Sequence, residues 1–471
     1  MKIRYAFQFA AACLLLIFLT AGTETIDSSK SFFGALGVEP VLPDEPFDYD
    51  INFPEHVVFG NWSTVDSTVI NAMITPEGAT LGRVLFYDKL LSKSNDLSCG
   101  SCHKQEFAFA DNKQFSDGIN GAITERNSPN LNDLVWGSSF FFGQSGVEKP
   151  LFWDGRVNNL EFMVLLPIEH EGELGKDIDV LVEKLKATEY YAPLFEAAYG
   201  TSNITGDRIG DALAQFVRSM SSFNSKFDQV MKGQEFFTTQ EQEGFELFEA
   251  NCGTFCHGDP HFGSATLMNN GLDSLYLDEG MADWSGNSGD VGKFRSPSLR
   301  NIELTGPYMH DGRFETLEEV IDFYSDEVFP HPNNDFGWTI GNSNTFRGFE
   351  FNEWEKEALK AFMLTLTDES FITDERWSDP FEEASSSSFV PLDEKVNIYP
   401  NPFRDQATVE LDNASGASYT LRLTTVDGRV LRTFKTTSST LVIEKQNLQA
   451  GVYMLEVKKG NRMQVEKIVV Q

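Results

Sequence analysis

The sequence predicts a mainly α chain that ends in a small all-β, sandwich-type module. Three observations carry this reading. Two short clusters, Cys99-Gly100-Ser101-Cys102-His103 and Cys252-Gly253-Thr254-Phe255-Cys256-His257, each follow a stretch with helical signals. Residues 177–232 carry apolar residues at helical spacing: Val180, Leu181 and Leu185, then Ile209, Leu213, Phe216, Val217 and Met220, with Pro193 marking a turn between the two sets. From Val396 onward the apolar residues alternate instead, as in Thr420-Leu421-Arg422-Leu423, Leu441-Val442-Ile443 and Tyr453-Met454-Leu455-Glu456-Val457, with turn signals at Asp427-Gly428 and Lys459-Gly460-Asn461.

The first cluster reads Cys-x-x-Cys-His, the attachment signature of a c-type haem. Two thiols one turn apart can each add to a haem vinyl group, and the adjacent histidine reaches the iron as proximal ligand. The second cluster has three residues between its cysteines. The extra residue can bulge out with both thiols still facing the porphyrin edge, or Cys256 alone can form a thioether. Thr238 and Thr239 cap a predicted helix with Phe245, Leu247 and Phe248 on its apolar face, and that helix delivers the second cluster. The α part therefore reads as two c-type cytochrome-like haem domains, a duplication visible in pattern more than in identity.

The boundaries follow. Residues 1–24 have a basic start at Lys2 and Arg4, an apolar run from Ala6 to Leu19 and small residues at Ala21-Gly22-Thr23, which is a secretory signal peptide. Residues 25–75 form a loop-rich extension with Pro40, Pro43, Pro46 and Pro54. The two haem domains span 76–232 and 233–378, a polar linker spans 379–395, and the β module spans 396–471. No other stretch is apolar enough to span a bilayer, so the mature chain is expected to have no transmembrane segment. Cys13 lies in the signal peptide. The other four cysteines, Cys99, Cys102, Cys252 and Cys256, all sit in the two clusters, so none is left for a disulfide framework.

The formal net charge is −34. The β module carries ten Lys+Arg against seven Asp+Glu, a net +3, which leaves −37 for the rest. A chain so acidic is not a nucleic-acid binder, because phosphates need basic neutralisation. It could steer a basic partner such as a small electron-carrier cytochrome, or the charge could serve solubility alone.

Several motifs stand in a telling order. Phe152-Trp153-Asp154-Gly155-Arg156 lies between the two clusters, and Arg295-Ser296-Pro297-Ser298-Leu299-Arg300-Asn301 and Thr305-Gly306-Pro307-Tyr308-Met309-His310-Asp311-Gly312 follow the second. Over roughly 75–370 the chain resembles the bacterial di-haem cytochrome c peroxidases and their MauG-type relatives. The final module, with Tyr399-Pro400-Asn401-Pro402 and Ala450-Gly451-Val452-Tyr453, resembles the C-terminal sorting domain of type IX secretion. That resemblance implies export to the periplasm, the cell surface or the medium.

The family resemblance implies two covalently bound c-type haems, a peroxidatic one held by Cys99, Cys102 and His103 and an electron-relay one held by Cys252, Cys256 and His257. It implies that Glu161, after Asp-Gly-Arg-x-x-x-Leu, is the distal acid/base that moves a proton from peroxide to the leaving oxygen. It places the second haem's other ligand seventeen residues after Pro307, at Tyr324, with Met309 the alternative. It implies a Ca²⁺ between the domains near Asn127, Thr305 and Pro307, and it assigns His310 to supporting haem contacts. Trp136 and Trp153 are both candidates for the aromatic between the haems. His56, His170, His261 and His331 match no motif and read as surface or structural. Two departures stand out. Leu151 occupies the position of a frequent distal glutamine. Ile119, sixteen residues after His103, replaces a histidine that closes the resting first haem in many peroxidases, so this haem is expected to be open to peroxide.

Three functions compete. The leading one is reduction of hydrogen peroxide to water with electrons from a small cytochrome or similar redox protein. The second is MauG-like oxidation of a protein or organic substrate. The third is a non-enzymatic di-haem electron carrier. A homodimer is left open.

Overall fold

In the computed structural model the described residues are 39–58, 71–132, 134, 150–253, 256–258, 260–264, 266–335, 347–381, 390–391, 396–411, 419–425, 430–446, 448–459 and 462–471. The signal peptide and Trp136 fall outside them.

Helix Pro76–Tyr87 starts where Thr75 caps it: the Thr75 hydroxyl accepts from Gly78 N at 3.0 Å, and Pro76 occupies the first turn, where its missing N–H costs nothing. The helix is buried from Gly78 to Tyr87. It crosses helix Gly206–Ser219, itself capped by Thr205. The crossing is close because Gly82 has no side chain; a Cβ there would come within 2.0 Å of Ala212 O. This pair is the centre of the first core, which also holds Tyr49 and Ile51 from the N-terminal extension.

The second unit repeats the device. Helix Thr239–Phe248 opens with a capping box between Thr238 and Glu241; of the two threonines expected to cap it, Thr238 does so and Thr239 is its first residue. It crosses helix Glu353–Leu364 at Gly244, where a Cβ would meet Ala358 O at 1.9 Å. Phe248 is buried, and Phe245 and Leu247 pack on the same core with Phe262 and Phe362. Phe371 and Trp377, further along the chain, return to the first core instead.

Two expectations are corrected. Val180 is exposed, because it sits in the first turn of helix Ile178–Lys186, while Leu181 and Leu185 alone supply the buried stripe. Pro193 makes no turn between helices. It lies in the first turn of helix Tyr191–Tyr199, where proline is tolerated.

The C-terminal module consists of two sheets. One contains Val390–Pro391, Arg462–Val470, Gly451–Lys459, Tyr419–Thr425 and Val430–Thr436 in spatial order, and the other Asn397–Tyr399, Gln406–Glu410 and Thr440–Glu444. Ala407, Val409 and Ile443 from the smaller sheet share a core with Leu421, Leu423, Leu455 and Val457 from the larger, which is sandwich packing. The Val390–Pro391 strand falls in the segment read as linker and pairs in parallel with Arg462–Met463. No helix among the described residues is long and apolar enough to cross a membrane.

Candidate haem and proton-transfer sites

The first cluster is a single helical turn, Cys99–Cys102. Ser98 N donates to Ser101 Oγ at 3.0 Å, and His103 N closes the turn on Cys99 O at 2.9 Å. Thiols three residues apart on such a turn share one face. Gly100 lies against the Tyr87 ring, where a Cβ would come within 2.5 Å.

The His103 ring is oriented by Nδ1 to Phe109 O at 2.8 Å, and the Pro129 carbonyl also lies against the ring, as the Pro297 carbonyl does at His257. A carbonyl only accepts, so Nδ1 carries the proton and Nε2 keeps its lone pair for a metal. His257 is set the same way, Nδ1 to Phe262 O at 2.9 Å. Both phenylalanines adopt left-handed backbone, with φ of 61° at Phe109 and 52° at Phe262. Burial depresses the pKa of both imidazoles, which keeps them neutral as iron ligation requires.

All four cysteines are free of disulfides. Burial pushes the Cys99 thiol up to about 12, Cys102 to about 11, and Cys252 and Cys256 to about 12. No cluster of three or more His, Cys, Asp or Glu suited to a metal ion occurs among the described residues. Two buried thiols beside a histidine whose Nδ1 is held by a carbonyl fit thioether-bound haem.

The extra residue of the second cluster is absorbed in the backbone. A π-helical turn runs over Glu249–Gly253, and His257 N then closes on Cys252 O, five residues back, at 3.0 Å. The first site makes the same closure over four. A π-bulge accommodates one inserted residue without losing the ring of hydrogen bonds.

A cavity of about 440 Å³ opens beside this site, lined among others by Cys252, Cys256, His257, Met309, Tyr324 and Trp153. Tyr324 sits in a second π-helical turn, Phe323–Glu327. Asn270 Nδ2 donates to the Tyr324 hydroxyl at 3.0 Å and lies 3.8 Å from Met309 Sδ. Both candidate ligands therefore face one cavity, and burial holds the Tyr324 phenol well above its ordinary pKa. A smaller void of about 150 Å³ shares His257 and Tyr324 and is bordered by Asn127, Thr305 and Pro307, so the three calcium candidates are brought together. His310 stacks on Phe294 at 3.8 Å, and its carbonyl accepts from Asn127 N at 2.8 Å.

Trp153 lines both voids. Its indole N–H donates to Asn127 O at 2.8 Å, and its carbonyl accepts from Arg295 N at 2.7 Å. The motif preceding Glu161 thus reaches into the second haem's surroundings.

Glu161 lies in helix Leu160–Met163, capped by Asn159. Arg218 Nη2 donates to its Oε1 at 2.6 Å, and Asn159 Nδ2 donates to Oε2 at 3.1 Å. Burial works to raise the Glu161 pKa. The Arg218 bond and charge, backbone N–H donation and Asn159 outweigh it, so the carboxyl is held below its usual range. Ile119 and Leu151 are both buried. Arg218 and Asn270 are absent from the sequence-based site, because an arginine in the last turn of an amphipathic helix and an asparagine beside Gly271 look ordinary.

Comparison with known proteins agrees with this geometry. Residues 76–236 match the family described as di-haem cytochrome c peroxidase. The methylamine utilization protein MauG of Methylorubrum extorquens is 33% identical over 298 residues, which cover 62% of this chain and 79% of that one. The chain belongs to the di-haem cytochrome c peroxidase family. Cytochrome c551 peroxidase of Nitrosomonas europaea is 32% identical over 302 residues, with 62% and 82% covered. A solved MauG-like protein associated with microbial copper homeostasis is 35% identical, with a TM-score of 0.56 over 65% of this chain and 94% of that one. As a member of this family the chain is an oxidoreductase with two covalently bound c-type haems. Residues 397–471 match the secretion system C-terminal sorting domain, so the protein is exported.

Proposed function

We propose that this enzyme reduces hydrogen peroxide to water with electrons from a separate redox protein, the work being divided between units 76–232 and 233–378. The observation that carries the proposal is the Glu161 carboxylate, ionised and held through both oxygens by Arg218 and Asn159. A bound c-type haem supplies the iron at which the O–O bond is reduced. Cys99 and Cys102 would anchor the first haem, with His103 as its iron ligand. Cys252, Cys256 and His257 would hold the second in the same way. Glu161 takes a proton from one peroxide oxygen and returns it to the other, which leaves as water. Overall, peroxide, two protons and two electrons give two waters. Ile119 cannot ligate iron, so this position would leave the first haem accessible to peroxide. Asn127, Thr305 and Pro307 suit Ca²⁺, which prefers oxygen ligands.

Glu161→Gln keeps the shape and removes the base. Peroxide turnover should fall about 10²–10⁴-fold, the usual worth of positioned acid–base help, with both haem spectra intact. Turnover within twofold of the parent would overturn the role.

Tyr324 favours one second reading, MauG-like oxidation of a protein or organic substrate. A phenolate ligand stabilises oxidised iron, whereas a thioether raises the potential. A thioether-to-iron absorption band that disappears in Met309→Ala would exclude Tyr324 as ligand and remove this reading's support.

A further inference from the structure

Trp153 borders the second haem's cavity, and the residue after it is buried Asp154. The Asp154 carbonyl accepts the indole N–H of Trp284 at 2.9 Å. Trp284 is 49% exposed. One peptide unit and one hydrogen bond therefore connect an indole at the cavity wall to an indole at the surface. Arg126 fixes this region from below. Its guanidinium bonds Asp154 at 2.6 Å and Asp278 at 2.7 Å, and lies 3.6 Å from Asp283.

The surface around Trp284 has a distinct chemistry. Leu277, beside Asp278, is 97% exposed, and Leu275 is also exposed. Asp278, Glu279 and Asp283 stand among these three apolar side chains in sequence. An apolar centre with a charged rim is the usual anatomy of a protein-docking patch, and an acidic rim on a chain of net charge −34 selects a basic partner.

We propose that Trp284 is the electron entry port of this enzyme. A redox protein with a basic face docks over Leu275, Leu277 and Trp284. Its electrons pass through Trp284, the Asp154 carbonyl and Trp153 toward the second haem. No bond to Trp284 forms or breaks. Two one-electron donors are each oxidised once for every peroxide reduced to two waters. The inference rests on the peroxidase reading above and deepens it by placing the donor.

The test uses the full-length holoprotein with peroxide and two reductants: reduced mitochondrial cytochrome c as a basic redox-protein probe, and a small neutral mediator. Trp284→Phe should slow cytochrome oxidation at least tenfold, with mediator oxidation and both Soret spectra unchanged. Leu277→Lys removes the apolar contact and sets a like charge against the partner's basic face, so it should raise the KM for cytochrome several-fold with little change in kcat, because it alters docking and not the route. Cytochrome oxidation within twofold of the parent in Trp284→Phe would overturn the port. An equal loss with cytochrome and mediator would also overturn it, since that marks general damage. If the parent oxidises neither reductant with peroxide, the peroxidase reading itself fails, and the port with it.

Discussion

In the first unit a Gly82–Ala212 crossing sets the helix behind the haem site, and in the second a Gly244–Ala358 crossing does the same. Phe216 and Phe362 follow those alanines by one helical turn in each case. His103 and His257 are each held by the carbonyl of a phenylalanine in left-handed backbone. The proximal halves are therefore copies. The units part at the side chains proposed for the other face of each haem. In the first, Arg218 bonds Glu161, and in the second Asn270 bonds Tyr324. One scaffold carries a candidate proton carrier in one copy and a candidate iron ligand in the other. The inserted residue of the second cluster does not add to that difference, because the π turn cancels it before His257 is reached.

The largest expected effect lies at the junction between the copies. Arg300 is fully buried and bonds both oxygens of buried Asp228, at 2.9 and 3.0 Å. His56 from the N-terminal extension adds a third contact to Asp228, at 2.9 Å. Burial disfavours the Asp228 carboxylate, yet the Arg300 charge and these bonds hold its pKa well below the usual range. Asp228→Asn leaves a buried guanidinium without its counter-charge and should cost about 3–5 kcal/mol. Thermal unfolding followed at both Soret bands checks this. A single lowered transition makes the two copies one cooperative body. Two separated transitions would make them independent.

The crossings give a symmetric test of the likeness. Gly82→Ala and Gly244→Ala each push a methyl group into a backbone carbonyl, and overpacking of this kind costs about 1–3 kcal/mol. The two losses should be similar, and each should perturb the spectrum of its own haem first. A large loss at one site only would show that the crossings are not equivalent.

How far these features were legible in the sequence depends on distance along the chain. The haem clusters, the capped helix at Thr238 and the alternating strands are local patterns, and each is present in the structure. Val180 and Pro193 misled because periodicity does not say which residues form the first turn of a helix. Tyr324 could be placed only through the family resemblance. Arg218 and Trp284 were invisible, because their partners Glu161 and Asp154 lie 57 and 130 residues away. Nothing near either residue in sequence marks such a contact.

The smallest effect separates the copies most sharply, because it acts on Glu161, the acid/base group proposed for the first copy alone. Arg218 stabilises the charged form of Glu161, so the folded-state pKa lies below the unfolded one. The ion pair is present above that range and is lost as pH falls through the depressed folded value. The base form of Glu161 is therefore retained into mild acid. Arg218→Gln removes the positive charge and leaves only backbone and Asn159 donation against burial, so the Glu161 pKa should rise. The acid limb of the pH profile of kcat/KM for peroxide should move to higher pH. Arg218→Lys keeps the charge and should restore most of the shift, which a purely structural arginine would not predict. The second haem should take no part, and its spectrum and the KM for the electron donor should stay as they are in both variants. An acid limb that does not move in Arg218→Gln would mean that Glu161 takes its charge state from some other group, and the contrast between the two distal sides would have to be redrawn without Arg218.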